Sequence, residues 1–523
     1  MRRCAPGARR RRRVGRVPSD IPLPGALAPR LPGPRRRPRF LGLIRRLGPG
    51  LVTGAADDDP SGIVTYAQAG AAFGYGLGWA VVLTLPFMVA VQEISARIGR
   101  VTGLGLVGAL RAHAPRPVLL VLVWLLVVAN VVNLGADIGG MADVSRLLLG
   151  GPAWAWAGAV AVFCAATEIW VAYKRYVVFL KFLTLALLAY VALLFVIEVP
   201  WLTVLKSVLL PQVALTRDAL MMLVGVLGTT ISPYLFVWQA AEEVEDALGS
   251  ADPRPLRGRG AVAAPDGGAA GGTSDGAAGG VAREAPGGMP GDALGDVSGG
   301  TPVGAGKRDA PAPAAGPQAA TRAEKENAAD AADGAGEIAR IGFDTWSGMS
   351  YSNAVSLSII IGTAATLHAH GITTIDTASQ AAAALAPIAG RFAALIFSLG
   401  VIGTGLLAVP VLAGATGYAL GEALGWPVGL GRLPTDARAF YGTVAAATLV
   451  GAGIVLSPID PMRALVLAAV LNGMVAGPVI VAMVALGSMP SVMGGFVLPR
   501  WLRVLGWGTA VLMGGATVGM LVL

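Results

Sequence analysis

The sequence predicts an all-α polytopic membrane protein with about 11 transmembrane helices. Three observations predict it. Of 523 residues, 54% are hydrophobic and only 14% charged, against about 25% charged in soluble domains. The charges gather in an N-terminal arm, in short loops and in one polar insert. Between them lie apolar runs of roughly 20 residues, the length of helix that crosses a ~30 Å hydrocarbon core. Helices satisfy their own backbone groups in lipid. The runs are too long and too evenly apolar for barrel strands.

Eleven spans fit these runs, at about 43–68, 74–97, 118–147, 153–173, 176–198, 218–242, 347–368, 390–420, 439–456, 463–487 and 500–522. The chain then divides into a basic Pro/Arg-rich arm (1–42), spans 1–6 (43–246), a linker (247–338) and spans 7–11 (339–523). The linker is Gly, Ala, Pro and Asp with scattered Arg and Lys. Such a stretch buries too little apolar area to offset its ordering entropy, so it is expected to be disordered.

Charge sets the expected orientation. The net charge of +9 owes much to Arg9 to Arg13, Arg35 to Arg37, Arg45 and Arg46. Arginine directly before a first span marks a cytoplasmic terminus, and such an arm can also bind anionic lipid. This placement accounts for the basic charge without nucleic acid. Arg97, Arg100, Arg111, Arg116, Lys174 and Arg175 then fall in cytoplasmic loops. The linker is cytoplasmic as well, and an odd number of spans puts the C-terminus outside. Cys4 and Cys164 form no disulfide framework or zinc site, and three histidines are too few for a His-rich metal cluster.

The first span carries Asp57, Asp58, Asp59 and Pro60 inside an apolar run. An aspartate at a helix centre costs about 3 kcal/mol even on insertion scales. Proline removes a backbone donor and clashes with the preceding turn. The helix should break at Asp59–Pro60, and broken backbone at membrane depth survives only inside protein or beside a cavity. The sixth span repeats the device with Thr229, Thr230, Ser232 and Pro233. Two matching interruptions five spans apart indicate an inverted repeat, spans 1–5 and 6–10, with the binding site between the breaks. Freed carbonyls there are cation ligands and Asp59 adds negative charge. Asp57 and Asp58 lie on other faces, with Asp58 a candidate for a vestibule.

At these residues the chain resembles the Nramp family of divalent metal transporters, which has a LeuT-type fold. The family's Asp-Pro-Gly-Asn motif reads here Asp59-Pro60-Ser61-Gly62, and its Met-Pro-His motif reads Ser232-Pro233-Tyr234. The Gly48-Pro49-Gly50 lead also matches. The resemblance covers about 40–246 and 340–523. It implies a metal site of Asp59, Gly62, Thr229 (through its carbonyl) and Ser232, with the metal as cargo and no cofactor.

The departures from the motifs carry information of their own. Gly62 has no side-chain ligand and Ser232 replaces a thioether. The site is therefore all oxygen, which suits Mg²⁺, Ca²⁺ and Mn²⁺, and Mg²⁺ keeps several waters and needs only one or two carboxylates. The chain resembles the divergent, magnesium-carrying branch, with Mg²⁺ the expected cargo and Mn²⁺ a second. The family's proton-carrying His position is Tyr234, and its third-span acids fall on Asn133 and Ala136. Asp137 stands one residue off, about 100° around the helix. Uncoupled, potential-driven uptake is expected, with Asp58, Tyr234, Asn133, Asp137 and Asn472 as pathway candidates.

Three alternatives stand beside this reading: a proton-coupled Mn²⁺/Fe²⁺ symporter, an organic-solute transporter on the same fold, and a membrane hydrolase. Asp59 at the break opposes a substrate carboxylate, and no second constellation of acids or histidines supports hydrolysis. Elsewhere, Glu93 and Arg97 should pair across one helix turn. His368 and His370 read as loop histidines, and Glu242, Glu243 and Glu245 as a solvated face.

Overall fold

Every regular element among the described residues is helical. The computed structural model describes residues 53–54, 56–170, 187–211, 216–248, 256, 317–456 and 458–522, with side chains in the 317–366 helix from Gly334 onward. The N-terminal arm, the Gly48–Gly50 lead and residues 176–186 of the fifth span lie outside the described residues. All of the elements below belong to the unit Leu47–Leu523.

The main helices are α1 (Pro60–Phe73), α2 (Gly78–Thr102), α3 (Leu106–His113), α4 (Arg116–Leu149), α5 (Ala153–Trp170), α6 (Trp201–Leu209), α7 (Arg217–Thr230), α8 (Pro233–Leu248), α9 (Pro317–Thr366), α10 (Ala393–Leu424), α11 (Arg438–Ile454), α12 (Pro461–Gly487) and α13 (Arg500–Val522). Seven stretches among the described residues are long and apolar enough to cross a membrane, one of them comprising both α1 and α2; Ala153–Ile169 is a shorter apolar helix. Of the fifth span, the short helix Leu188–Leu193 is described. Lipid-sized apolar side chains face outward, as on α13, where Val504, Val511 and Val518 are exposed.

Both expected breaks are present. Thr53, Gly54, Ala56 and Asp57 are helical, Asp58 and Asp59 are not, and α1 restarts at Pro60. α7 ends at Thr230, and α8 restarts at Pro233. Proline at a first helical position has the φ a new helix needs, and its missing N–H removes no bond there.

The broken helices are held by close backbone crossings. α7 packs on α12 and α10 packs along α4. A Cβ added at Gly228 of α7 would lie 2.2 Å from the Ala469 carbonyl oxygen and 2.3 Å from the Gly473 nitrogen of α12. A Cβ at Gly473 would lie 2.4 Å from the Val224 carbonyl oxygen. Small residues let membrane helices approach this way.

α9 begins at Pro317, inside the segment expected to be a linker; 257–316 lies outside the described residues. A shortage of large apolar residues says little about a helix that packs by its charges. Arg340 on α9 bonds Glu243 on α8 at 3.1 Å and Glu337 at 3.2 Å. Glu243 is buried, at 1% exposure, so the solvated-face reading of this residue is corrected. Its neighbour Glu245 accepts a hydrogen bond from Tyr418 and one of 2.6 Å from the Leu430 N–H. Tyr418 in turn packs on Trp238 and Phe440, with ring centroids 6.3 and 5.0 Å apart. The expected Glu93–Arg97 pair forms, at 2.5 Å.

Removing Arg340 leaves Glu243 buried beside Asp246 and Asp344 without that guanidinium. Arg340→Met is expected to destabilise the protein by about 1–3 kcal/mol, and pairing it with Glu243→Gln should restore much of that. Thermal unfolding of the single and double variants in detergent checks this; equal melting points would contradict it.

Candidate metal centre at the helix breaks

Asp59 organises the first break. Its backbone is extended (φ −68°, ψ 169°), and its Oδ1 accepts the Gly62 N–H at 2.6 Å, so it is the N-cap of α1. The Ser61 hydroxyl donates to the same oxygen at 2.7 Å. Oδ2 accepts from the Asn133 amide of α4 at 3.0 Å and from the Tyr234 hydroxyl of α8 at 3.3 Å. Tyr234 also reaches the Ala56 carbonyl, at 3.1 Å. One carboxylate thus ties the first break, the sixth-span restart and the third span together.

The third span contributes more than expected. Asp137 Oδ1 accepts the Ser61 N–H at 3.2 Å, and its Oδ2 accepts from Asn133 at 3.3 Å. Asn472 of α12 donates to Asn133 Oδ1 at 3.2 Å. Asn133, Asp137 and Asn472 are each 0% exposed. Asn130, one turn earlier on α4, bonds Thr416 of α10 at 3.2 Å. The signal was in the sequence: Asn130, Asn133 and Asp137 stand three and four apart, one face of a helix, in an otherwise apolar span.

The sixth-span residues are arranged differently. The Ser232 hydroxyl donates back to the carbonyls of Gly228 and Thr229, both at 2.9 Å. The Thr229 hydroxyl turns to Val226 at 3.0 Å. Hydroxyls bonded to their own helix are a common way of settling carbonyls near a helix end. Gly62 lies against Asp59, where an added Cβ would meet Oδ1 at 3.3 Å. The structure therefore brings Asp59, Gly62, Asn133, Asp137, Tyr234 and Asn472 together, while the side chains of Thr229 and Ser232 face their own helix.

Asp57 and Asp58 face away, as expected, onto α9. Ser352 donates to Asp57 Oδ2 at 2.6 Å and lies 3.1 Å from Asp58 Oδ1, with Ser356 at 3.4 Å from the latter. The two serines were not singled out in the sequence; their i, i+4 spacing was the available signal. His368 and His370 each bond a backbone carbonyl, of Ala71 and Thr366, in keeping with ordinary loop histidines. Among the described residues no group of three or more His, Cys, Asp or Glu gathers as a metal cluster.

Two helices broken at buried prolines, with a carboxylate set where they meet, define a membrane transporter of the broken-helix class. Residues 50–257 and 317–523 match the family described as natural resistance-associated macrophage protein-like. The chain belongs to that family: it is a transporter of divalent metal cations and not an enzyme, and the metal is cargo. It is 26% identical over 469 residues to the divalent metal cation transporter MntH of Klebsiella pneumoniae, covering 88% of this chain and 90% of that one. A Burkholderia ambifaria protein of the same description is 31% identical over 227 residues, covering 41% of this chain and 48% of the relative. The fold is that of a solved manganese transporter from Eremococcus coleocola, with a TM-score of 0.60 and 15% identity, covering 93% of this chain and 88% of that one.

Proposed function

We propose that this protein carries Mg²⁺ into the cell, with Mn²⁺ as a second cargo, by alternating access and without a coupled proton. The observation that carries the reading is the donor set around Asp59. Among the described residues, Asp59 is bonded to the Ser61 and Tyr234 hydroxyls, the Gly62 N–H and the Asn133 amide, and to no sulfur or imidazole. Oxygen-only sites favour hard cations, and Mg²⁺ is held by one or two carboxylates while keeping part of its water. Gly62 and the turned-back Ser232 leave room for that water.

The driving force is the membrane potential. At 100 mV, cytoplasm negative, a divalent ion gains about 4.6 kcal/mol, at ~2.3 kcal/mol per charge. Tyr234 stands at the histidine of the Met-Pro-His motif that the sixth span resembles, and a phenol is a poor proton carrier near neutrality. The N-terminus and the linker are cytoplasmic in this reading, the C-terminus is outside, and the basic arm rests on anionic lipid.

A proton-coupled Mn²⁺ symporter is the second reading, favoured by the buried carboxylate of Asp137 beside the site and by the manganese transporter that shares the fold. An organic substrate is disfavoured, since its carboxylate would meet Asp59. Purified protein in liposomes, given an inside-negative potential and internal Mg²⁺ and pH indicators, separates these. Mg²⁺ entry with constant internal pH is expected; Mn²⁺-only entry with acidification would establish the second reading.

A further inference from the structure

Asp59 and Asp137 come from different spans yet share two donors. Ser61 gives its hydroxyl to Asp59 at 2.7 Å and its N–H to Asp137 at 3.2 Å. The single Asn133 amide nitrogen stands 3.0 Å from Asp59 Oδ2 and 3.3 Å from Asp137 Oδ2. The remaining donors to Asp59 are the Gly62 N–H and the Tyr234 hydroxyl. All of these donors are neutral.

Two ionised carboxylates held on the same donors in a low-dielectric interior repel, and neutral donors offset little of that. A cation between them relieves the repulsion, and a charge of two matches the pair. An independent observation points the same way. Asn472 is fully buried, its amide nitrogen donates to Asn133, and its Oδ1 has no hydrogen-bond partner among the described residues. A buried amide oxygen without a donor is costly and is a ready hard-cation ligand. The opposite wall supplies less: Gly62 has no side chain and the Ser232 hydroxyl is engaged by its own helix.

We propose that Asp137 is a second carboxylate ligand of the transported cation, so that the ion sits on the third-span side of the break between Asp59 and Asp137, with the amide oxygen of Asn472 within its reach. This rests on the divalent-cation reading above. Asp137 takes over the coordinating role that Gly62 and Ser232 do not fill. With both carboxylates ionised, the pair favours divalent over monovalent cations of similar size.

The test is titration calorimetry of the full-length protein in detergent with MgCl₂ and, separately, MnCl₂, comparing wild type, Asp59→Asn and Asp137→Asn. Asparagine at 137 keeps the size and an acceptor for the Ser61 N–H, and gives up the charge and the weaker 3.3 Å acceptance from Asn133. Since even residues that only orient a ligand typically cost 10–100-fold in metal affinity, Asp137→Asn should weaken both ions by ~10-fold or more, with an unchanged melting point in metal-free buffer. Wild-type affinity in Asp137→Asn, with binding lost in Asp59→Asn, overturns the proposal and leaves the divalent reading standing. No binding of either ion to wild type defeats that reading itself, and this proposal with it. If Asp137→Asn does not fold, Asp137→Glu serves: the longer arm should change the Mg²⁺:Mn²⁺ affinity ratio, which a purely structural role would not move. An unchanged ratio with unchanged affinities counts against the proposal.

Discussion

Asp59→Asn is expected to cut divalent-cation uptake at least ~100-fold, while the protein folds and inserts as the wild type does. Asparagine is as good an N-cap as aspartate, so it can still accept the Gly62 N–H and start α1. It lacks the charge and one acceptor oxygen, so its amide NH₂ comes to face the Asn133 amide and the Tyr234 hydroxyl, which can turn to accept. A buried ion deprived of its counter-charge loses about 3–5 kcal/mol, and each ~1.4 kcal/mol is tenfold in affinity. Asp59→Ala confounds the two roles, because it also removes a cap worth about 1 kcal/mol. Uptake into proteoliposomes, normalised to folded protein, is the check. Uptake within a few-fold of wild type in Asp59→Asn would remove this carboxylate from the transport path.

The second large effect is expected at the crossing of α7 and α12. Gly228→Val places branched carbons where a single Cβ already meets the Ala469 carbonyl at 2.2 Å and the Gly473 nitrogen at 2.3 Å. These are backbone atoms and cannot swing aside as a flexible side chain can. α7 and α12 must separate, and overpacking of this kind costs about 1–3 kcal/mol or more. Separation also moves Asn472 on α12 relative to Asn133, where their bond is now 3.2 Å. The variant should lose most of its transport and lower its melting point. Gly336→Ala, where an added Cβ meets nothing within 4 Å, should change neither. A Gly228→Val protein with wild-type stability and transport would contradict the close crossing.

The two breaks were legible because proline and aspartate are expensive at membrane depth, so Asp59-Pro60 and Ser232-Pro233 announce themselves. The third-span contribution was less so. Alignment to the family's acidic positions passed over Asp137, whereas the helical spacing of Asn130, Asn133 and Asp137 carries the polar face directly. The pairing of that face with Asp59, and of Asp57 with Ser352, depends on how the spans pack, which no local pattern specifies. Thr229 and Ser232 show the converse. Motif position brings them to the break, but a hydroxyl beside a helix end finds its own carbonyls first. The long α9 was hidden by composition: its first turns lie in Ala- and charge-rich sequence, where helix propensity is high although no apolar face is present.

The central claim is that the cargo ion sits against Asp59 at the break of the first span. Anomalous scattering from crystals of the wild-type protein grown with Mn²⁺ tests it most directly. One strong peak is expected, within direct coordination distance of Asp59 and on its Asp137 side. A peak bound elsewhere, for example at Asp57, Asp58 and Ser352 with nothing beside Asp59, would contradict it.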